Sequence, residues 1–262
     1  MDASLTDKVA FVTGGGSGIG EGACYALARA GASVAVVDVR DQPARTVADR
    51  IQADGGRALA VVADVGDEQQ IGLAIAQTVE AFGGLHVVFA NAGINGMQCP
   101  IEDMTLDEWH ATINTNLTGT FLSVKHSIPH LRAAGGGSII VTSSINGSRL
   151  FGLPGYACYS TSKAGQVAFT RMAAIELARW GIRVNVILPG GVRTNIAERT
   201  HRRNLEPVTY GLTLPASWPP LHGRPASTDE IARLVVFLAS DDSSYITGAE
   251  IVIDAAASLL RG

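Results

Sequence analysis

Residues 8–20 read KVAFVTGGGSGIG and residues 33–38 read SVAVVD, with a helical stretch over 18–30 between them. An apolar run, a glycine-rich turn, a helix and a second apolar run ending in a carboxylate make one βαβ unit of a parallel sheet. Glycines at 14, 18 and 20 let the backbone turn tightly and approach a pyrophosphate. The N-terminus of the following helix supplies amide donors and the positive end of its dipole. The same rhythm repeats downstream. Further strands are predicted at 58–63, 85–90, 137–142, 182–188 and 250–253, nearly continuous in apolar character as expected when both sheet faces are covered. Further helices are predicted over 43–54, 67–82, 103–133 (as two), 157–180 and 228–240, with Gly181 as a C-terminal cap. The even rhythm predicts one α/β domain over 1–262. The exception is 191–226, which carries Pro207, Pro215, Pro219, Pro220 and Pro225 and reads as a lid over a site.

Asp38 ends the second run, 18 residues beyond Gly20. A carboxylate there accepts hydrogen bonds from an adenosine ribose diol and repels a 2′-phosphate. Arg40 pulls the other way, since an arginine can receive that phosphate. The expectation is NAD in preference to NADP.

In YSTSK, Tyr159 and Lys163 stand at i and i+4 and share one helix face. A phenol ordinarily titrates near pH ~10, and a neighbouring cation favours its ionised form. The pair therefore predicts a proton donor and acceptor usable near neutral pH. Upstream lies Ser143-Ser144; on a strand the two side chains point to opposite faces, so only one reaches a common site.

Composition narrows the class. Of 262 residues, 47% are apolar and 17% charged, so a large core is expected and disorder is not. A net charge of −4 offers no electrostatic case for nucleic acid or an anionic membrane. The start MDASLTDKVAFV has no basic segment followed by a long apolar run, and no apolar stretch approaches the ~18 residues that span a bilayer. Cys24, Cys99 and Cys158 read as reduced thiols of a cytoplasmic protein. No metal site is expected; His126 and His130 share a helix face without a third ligand.

Taken in order, TGGGSGIG at 13–20, Asp64-Val65, Asn91-Ala92-Gly93, Asn116 in NTNLTGTF, Ser143-Ser144, YSTSK at 159–163, and Pro189-Gly190 with Thr194 resemble the short-chain dehydrogenase/reductase family over essentially the whole chain. The resemblance implies a single-domain Rossmann fold, a doubly wound seven-stranded parallel sheet flanked by helices. It implies cofactor binding by Gly14, Ser17, Gly18, Ile19, Gly20 and Asp38, with Asp64 and the Val65 backbone at the adenine and Asn91 and Gly93 near the ribose. Val192 and Thr194 would hold the nicotinamide carboxamide. Ser144 would polarise the substrate oxygen, Tyr159 would transfer the proton, Lys163 would bind the nicotinamide ribose and lower the Tyr pKa, and Asn116 would hold a water linked to Lys163. The chain departs from many relatives at Ala90 and at Ala255-Ala256, where glycine is usual after the aspartate.

The function so implied is NAD-dependent hydride transfer between nicotinamide and a small secondary alcohol or ketone. Two other readings are an epimerase or dehydratase using NAD transiently and a non-catalytic NAD-binding protein on the same fold. Candidate substrate-pocket residues are Asn95, Met97, Gln98, Asn146, Phe151, Tyr156, Tyr210, Leu212 and Trp218. His201-Arg202-Arg203 reads as a solvated helix face, with a clamp for an acid as the alternative. Apolar residues on more than one face of 103–133 and 157–180 predict a homotetramer, with a dimer as fallback.

Overall fold

The computed structural model describes residues 4–149, 154–196, 200–208 and 219–260. The first half alternates strand and helix: β1 (Val9–Thr13), α1 (Gly18–Arg29), β2 (Ser33–Asp38), α2 (Asp41–Ala53), β3 (Arg57–Val62), α3 (Glu68–Phe82) and β4 (Val87–Ala90). After a short β5 (Met97–Gln98) come α4 (Leu106–Ile113), α5 (Gly119–Ala133), β6 (Gly137–Thr142), α6 (Ala157–Leu177) and β7 (Ile182–Pro189). A second short strand, β8 (His201–Arg202), precedes α7 (Thr228–Ala239) and β9 (Glu250–Ile253).

Seven strands form one sheet in the order β3-β2-β1-β4-β6-β7-β9, every neighbouring pair parallel. The chain runs outward from β1 to β3, then returns to place β4 on the other side of β1. That reversal opens a crevice at the carboxyl ends of β1 and β4, where open α/β sheets hold ligands. Successive side chains point to opposite faces, so Phe11 joins Val88, Ile139 and Val184 on one side with Ile71, Ile75, Leu122 and Val167 from α3, α5 and α6. Val12, Val34, Phe89 and Ile140 face the other way, against Leu27, Ile51, Ile231 and Leu238 from α1, α2 and α7. Each such side chain, fully removed from water, contributes roughly 1.5–3 kcal/mol. Helix α6 runs into a short 3-10 turn and stops at Gly181, left-handed at φ 67°.

The two helices expected over 103–133 are joined without a loop, through a widened π turn at Asn114–Thr118 that carries Asn116. Two further departures concern β5 and β8, which pair in parallel as a separate two-stranded sheet, Met97 opposite His201 and Gln98 opposite Arg202. His201-Arg202-Arg203 is therefore not a solvated helix face. His201 and Arg202 are an exposed strand, and Arg203 folds back onto the body of the protein.

No helix among the described residues is long and apolar enough to cross a membrane. No cluster of three or more His, Cys, Asp or Glu suited to a metal occurs among them either. Cys24, Cys99 and Cys158 are buried free thiols.

Candidate active site

A cavity of about 550 Å³ opens over the carboxyl ends of the central strands. Its walls include Gly14, Ser17, Gly18, Ile19, Asp38, Asp64, Val65, Asn91, Gly93, Ser144, Tyr159, Lys163, Val192 and Thr194. Gly20 and Asn116 stand behind that lining rather than in it.

At one end, the turn after β1 is shaped for close approach. Gly14 and Gly18 are left-handed at φ 63° and 58°. A Cβ on Gly20 would collide with the Gly14 carbonyl oxygen, and one on Gly16 would lie 2.9 Å from Asp38 Oδ2. Ser17 occupies the N-cap of α1, yet its hydroxyl makes no capping bond. It accepts instead from Arg40 Nη2 at 3.3 Å. The first-turn amides of α1 are thus left to an external anion, the condition for holding a pyrophosphate. Asp38 is 6% exposed; Oδ1 accepts from the Arg40 backbone amide and Nε, both at 3.1 Å, and Oδ2 from Gly16 N at 3.2 Å. A carboxylate offers about four acceptor positions, so one remains for a ribose hydroxyl. These residues fit a dinucleotide.

In the middle, Asn91 knits three strand ends together: Nδ2 donates to Thr13 O at 3.1 Å, and Oδ1 accepts from Thr142 Oγ1 at 3.1 Å. Thr13 Oγ1 in turn accepts the amides of Asn91 and Ala92. Thr194 closes over the glycine turn, its methyl 3.2 Å from where a Gly18 Cβ would stand. The segment after β7 is itself tied down by a parallel bridge between Val192 and Ala226.

At the other end, the helix places Lys163 Nζ 5.6 Å from the Tyr159 ring centroid. Nζ donates to the Thr142 carbonyl at 2.8 Å. Ser144 lines the cavity with Tyr159 and accepts from Asn146 N at 3.2 Å, whereas Ser143 donates to the Lys163 carbonyl at 2.8 Å. Tyr156 meets Tyr159 edge-on at 5.8 Å. Burial pushes the Tyr159 phenol up to about 12, with the nearby Ser144 hydroxyl opposing it. Burial likewise pulls the Lys163 ammonium down to about 7. The lowered phenol expected from the Tyr-Lys spacing is not found in the protein by itself: both groups lose hydration, and each neutral form is favoured over its charged form.

Asn116, fully buried, is engaged on every side. Oδ1 accepts from Ile94 N at 2.8 Å, and Nδ2 donates to Ile94 O and Ser162 Oγ, both at 2.9 Å. Its carbonyl accepts from Thr120 Oγ1 and Gln166 Nε2, both at 2.8 Å. This arrangement fixes the loop after β4 beside Lys163.

Of the substrate-pocket candidates, Asn95, Asn146 and Tyr156 line the cavity, while Met97 and Gln98 lie outside its wall in β5. Phe151, Tyr210, Leu212 and Trp218 lie outside the described residues. Sequence reasoning missed Thr142, whose contribution is a backbone carbonyl and carries no side-chain signal. It named Arg203 but not its partner Glu108, which the guanidinium grips and whose carboxyl it holds down at about 2.

A doubly wound parallel sheet with a glycine-turn cradle at one end of a cavity and a Ser-Tyr-Lys cluster at the other defines a dinucleotide-dependent oxidoreductase. The family described as enoyl-(acyl carrier protein) reductase matches residues 14–257. The chain is 36% identical over 259 residues to a cyclohexanol dehydrogenase of Acinetobacter sp. (strain SE19), covering 98% of this chain and 97% of that protein. It is 40% identical over 256 residues to a trans-4-hydroxycyclohexanecarboxylate dehydrogenase of Sinomonas cyclohexanicum, covering 95% and 92%. The crystal structure of a 3-ketoacyl-ACP reductase from Sinorhizobium meliloti 1021 superposes with a TM-score of 0.93 at 42% identity, over 97% of this chain and all of that one. The protein belongs to the short-chain dehydrogenase/reductase family and is an oxidoreductase of CH–OH groups that uses a nicotinamide cofactor.

Proposed function

We propose that the protein oxidises a secondary hydroxyl carried on a six-membered ring, with NAD as its cofactor. The observation that carries this reading is one cavity holding both the cradle at Gly14, Ser17 and Gly18 and the cluster of Ser144, Tyr159 and Lys163. The ring alcohol follows from similarity to enzymes named for cyclohexanol and 4-hydroxycyclohexanecarboxylate. The nicotinamide supplies the hydride acceptor. With the cofactor bound, Lys163 Nζ would hold the ribose and, as the ammonium, stabilise the Tyr159 phenolate formed once the phenol has released its own proton to solvent; that phenolate Oη then takes the hydroxyl proton while Ser144 Oγ holds the substrate oxygen. Asn116 braces the loop at Ile94 beside Lys163 and would hold a water linked to that ammonium. Asp64 and Val65 hold the adenine, Asn91 and Gly93 the ribose region, and Val192 and Thr194 the carboxamide. Of the lid expected over 191–226, Val192, Thr194, Asn195 and Ile196 stand at the cavity wall, whereas 197–199 and 209–218 lie outside the described residues.

NAD is favoured because Asp38 keeps an acceptor position for the ribose diol. The test is oxidation of cyclohexanol with NAD or NADP, followed by absorbance of the reduced nicotinamide; no turnover with either cofactor overturns the substrate reading. A second reading, reduction of a 3-ketoacyl thioester, is favoured by the similarity to the Sinorhizobium meliloti protein. Faster consumption of reduced cofactor with an acetoacetyl thioester than with cyclohexanone would select it.

Assembly belongs to the same reading. Phe121, Met172 and Ile175 stay 43%, 56% and 73% exposed on α5 and α6, whose other faces bury Leu122 and Val167. Such apolar surface supports a homotetramer, and light scattering showing a monomer at micromolar concentration would rule it out. Three free buried thiols suit a cytoplasmic location.

A further inference from the structure

The small sheet of β5 and β8 ties residues 200–208 to the loop after β4. Two paired residues per strand are too few to hold such a contact unaided. The pairing is extended by a backbone bond, Arg203 N donating to Gln98 O at 2.9 Å, and reinforced by a side-chain bond from Arg202 Nε to Gln98 Oε1 at 3.1 Å. The strongest reinforcement is the Arg203 guanidinium. Nη1 donates to Glu108 Oε1 at 2.9 Å and Nη2 to Oε2 at 3.0 Å, a two-pronged fork, while Nη2 also reaches the Asp103 carbonyl. Glu108 is itself held in place at the start of α4, where it closes a capping box with Thr105.

Two cavity-wall residues hang on this clamp. Asn95 Nδ2 donates to Thr200 Oγ1 at 2.8 Å, so the segment leading into β8 fixes one wall. On the opposite side, a Cβ on Gly155 would meet Leu205 and the Cys99 amide, so the loop entering α6 rests against the small sheet. The next residue is Tyr156, edge-on to Tyr159.

We infer that Arg203 is a positioning residue, whose fork onto Glu108 fixes the outer wall of the substrate end and so sets how tightly a ring alcohol is held. This rests on the function proposed above. Arg203 lies outside the cavity lining, so it acts through Asn95 and Tyr156. Only a planar fork fixes both carboxylate oxygens at once, which a lysine cannot do.

The test uses Arg203→Ala, Arg203→Lys and Glu108→Gln in the full chain, with cyclohexanol and NAD. Arg203→Ala is expected to raise KM for cyclohexanol about tenfold with kcat within about threefold, the signature of lost binding that does not alter the chemical step. Glu108→Gln should behave alike while keeping its capping role, and Arg203→Lys should recover only part of the loss. NAD affinity should stay unchanged. Independently of any substrate, amide exchange at Arg203 and across 200–208 should accelerate about tenfold or more in Arg203→Ala, with sheet and α6 amides unchanged.

Unchanged exchange in 200–208 overturns the inference. So does exchange accelerating throughout the sheet, or KM and NAD affinity worsening together. A wild-type protein inactive on cyclohexanol sinks the substrate reading alone, and the exchange experiment then decides the clamp.

Discussion

At the cofactor end of the cavity, Gly16 N donates to Asp38 from 22 residues away in the chain, and both belong to one βαβ unit. At the substrate end, Arg203 grips Glu108 across 95 residues and Asn95 reaches Thr200 across 105. The first end consists of backbone turns, a helix terminus and one strand-end carboxylate. The second is a set of side-chain bonds between segments that meet only when the sheet has formed. Backbone cradles suit a ligand that does not vary, such as a dinucleotide. Side-chain clamps can be exchanged without rebuilding the sheet, which lets one scaffold accept different alcohols.

The sharpest way to break this division is at Tyr159. Tyr159→Phe should reduce kcat at least about a hundredfold, in line with general acid–base contributions, while NAD affinity survives. Near-normal turnover would refute the proton-transfer role. Ser144→Ala should also lower turnover. Ser143→Ala removes a buried hydrogen bond to Lys163 O and should instead cost about 1 kcal/mol of stability.

The cofactor end is tested next. Asp38 is expected to favour NAD over NADP by at least about tenfold in kcat/KM, roughly 1.4 kcal/mol. Asp38→Ser should narrow that gap without altering KM for the alcohol. Equal use of both cofactors by the unmodified protein would contradict the assignment, and Arg40, already bonded to Asp38 and Ser17, would then be the residue to exchange.

Where the two ends meet, Lys163 gives a pH signature. Its folded-state pKa is depressed to about 7 from 10.5, so between those values the unfolded chain binds a proton that the folded protein has released. Stability of the cofactor-free protein should therefore rise with pH from about 7 toward 10. The raised Tyr159 acts oppositely and only above pH 10, where the folded protein retains its proton longer. Urea midpoints measured from pH 7 to 9.5 should climb in the wild type and climb less in Lys163→Met. Identical slopes would show that the ammonium is not desolvated.

The smallest effect is a control outside both ends. Ala255 and Ala256 are left-handed at φ 52° and 66°, held there by Asp254, which accepts the amides of Ala256 and Ser258. Ala255→Gly relieves a clash worth about 1–2 kcal/mol at some entropic cost, for a net gain of up to about 1 kcal/mol. Thermal unfolding should register that gain, with KM for alcohol and cofactor unchanged.

The seven sheet strands and the cofactor cradle could be read before folding because their signals are local. An apolar run flanked by turn residues marks a strand wherever it packs, and Gly14, Gly18 and Gly20 mark a turn whose shape needs no distant partner. Tyr159 and Lys163 were legible for the same reason, since helical spacing alone puts them on one face. Their protonation was not. Spacing describes the attraction between the two charges, but the desolvation that outweighs it depends on the enclosure supplied by the rest of the fold. Residues 201–203 show the same limit: a two-residue strand has no periodicity to detect, and Arg203 resembles a solvated cation until Glu108 is brought to it.

Sequence by itself thus determined the order of the sheet elements, the dinucleotide cradle and the Ser-Tyr-Lys chemistry, each carried within one segment of chain. Tertiary structure alone decided how Ser143 is bonded, how Asn116 spends its hydrogen bonds, and how the substrate wall is clamped. Those outcomes are sums of desolvation and hydrogen bonding between residues distant in the chain, and only the folded arrangement sets the distances at which such terms act.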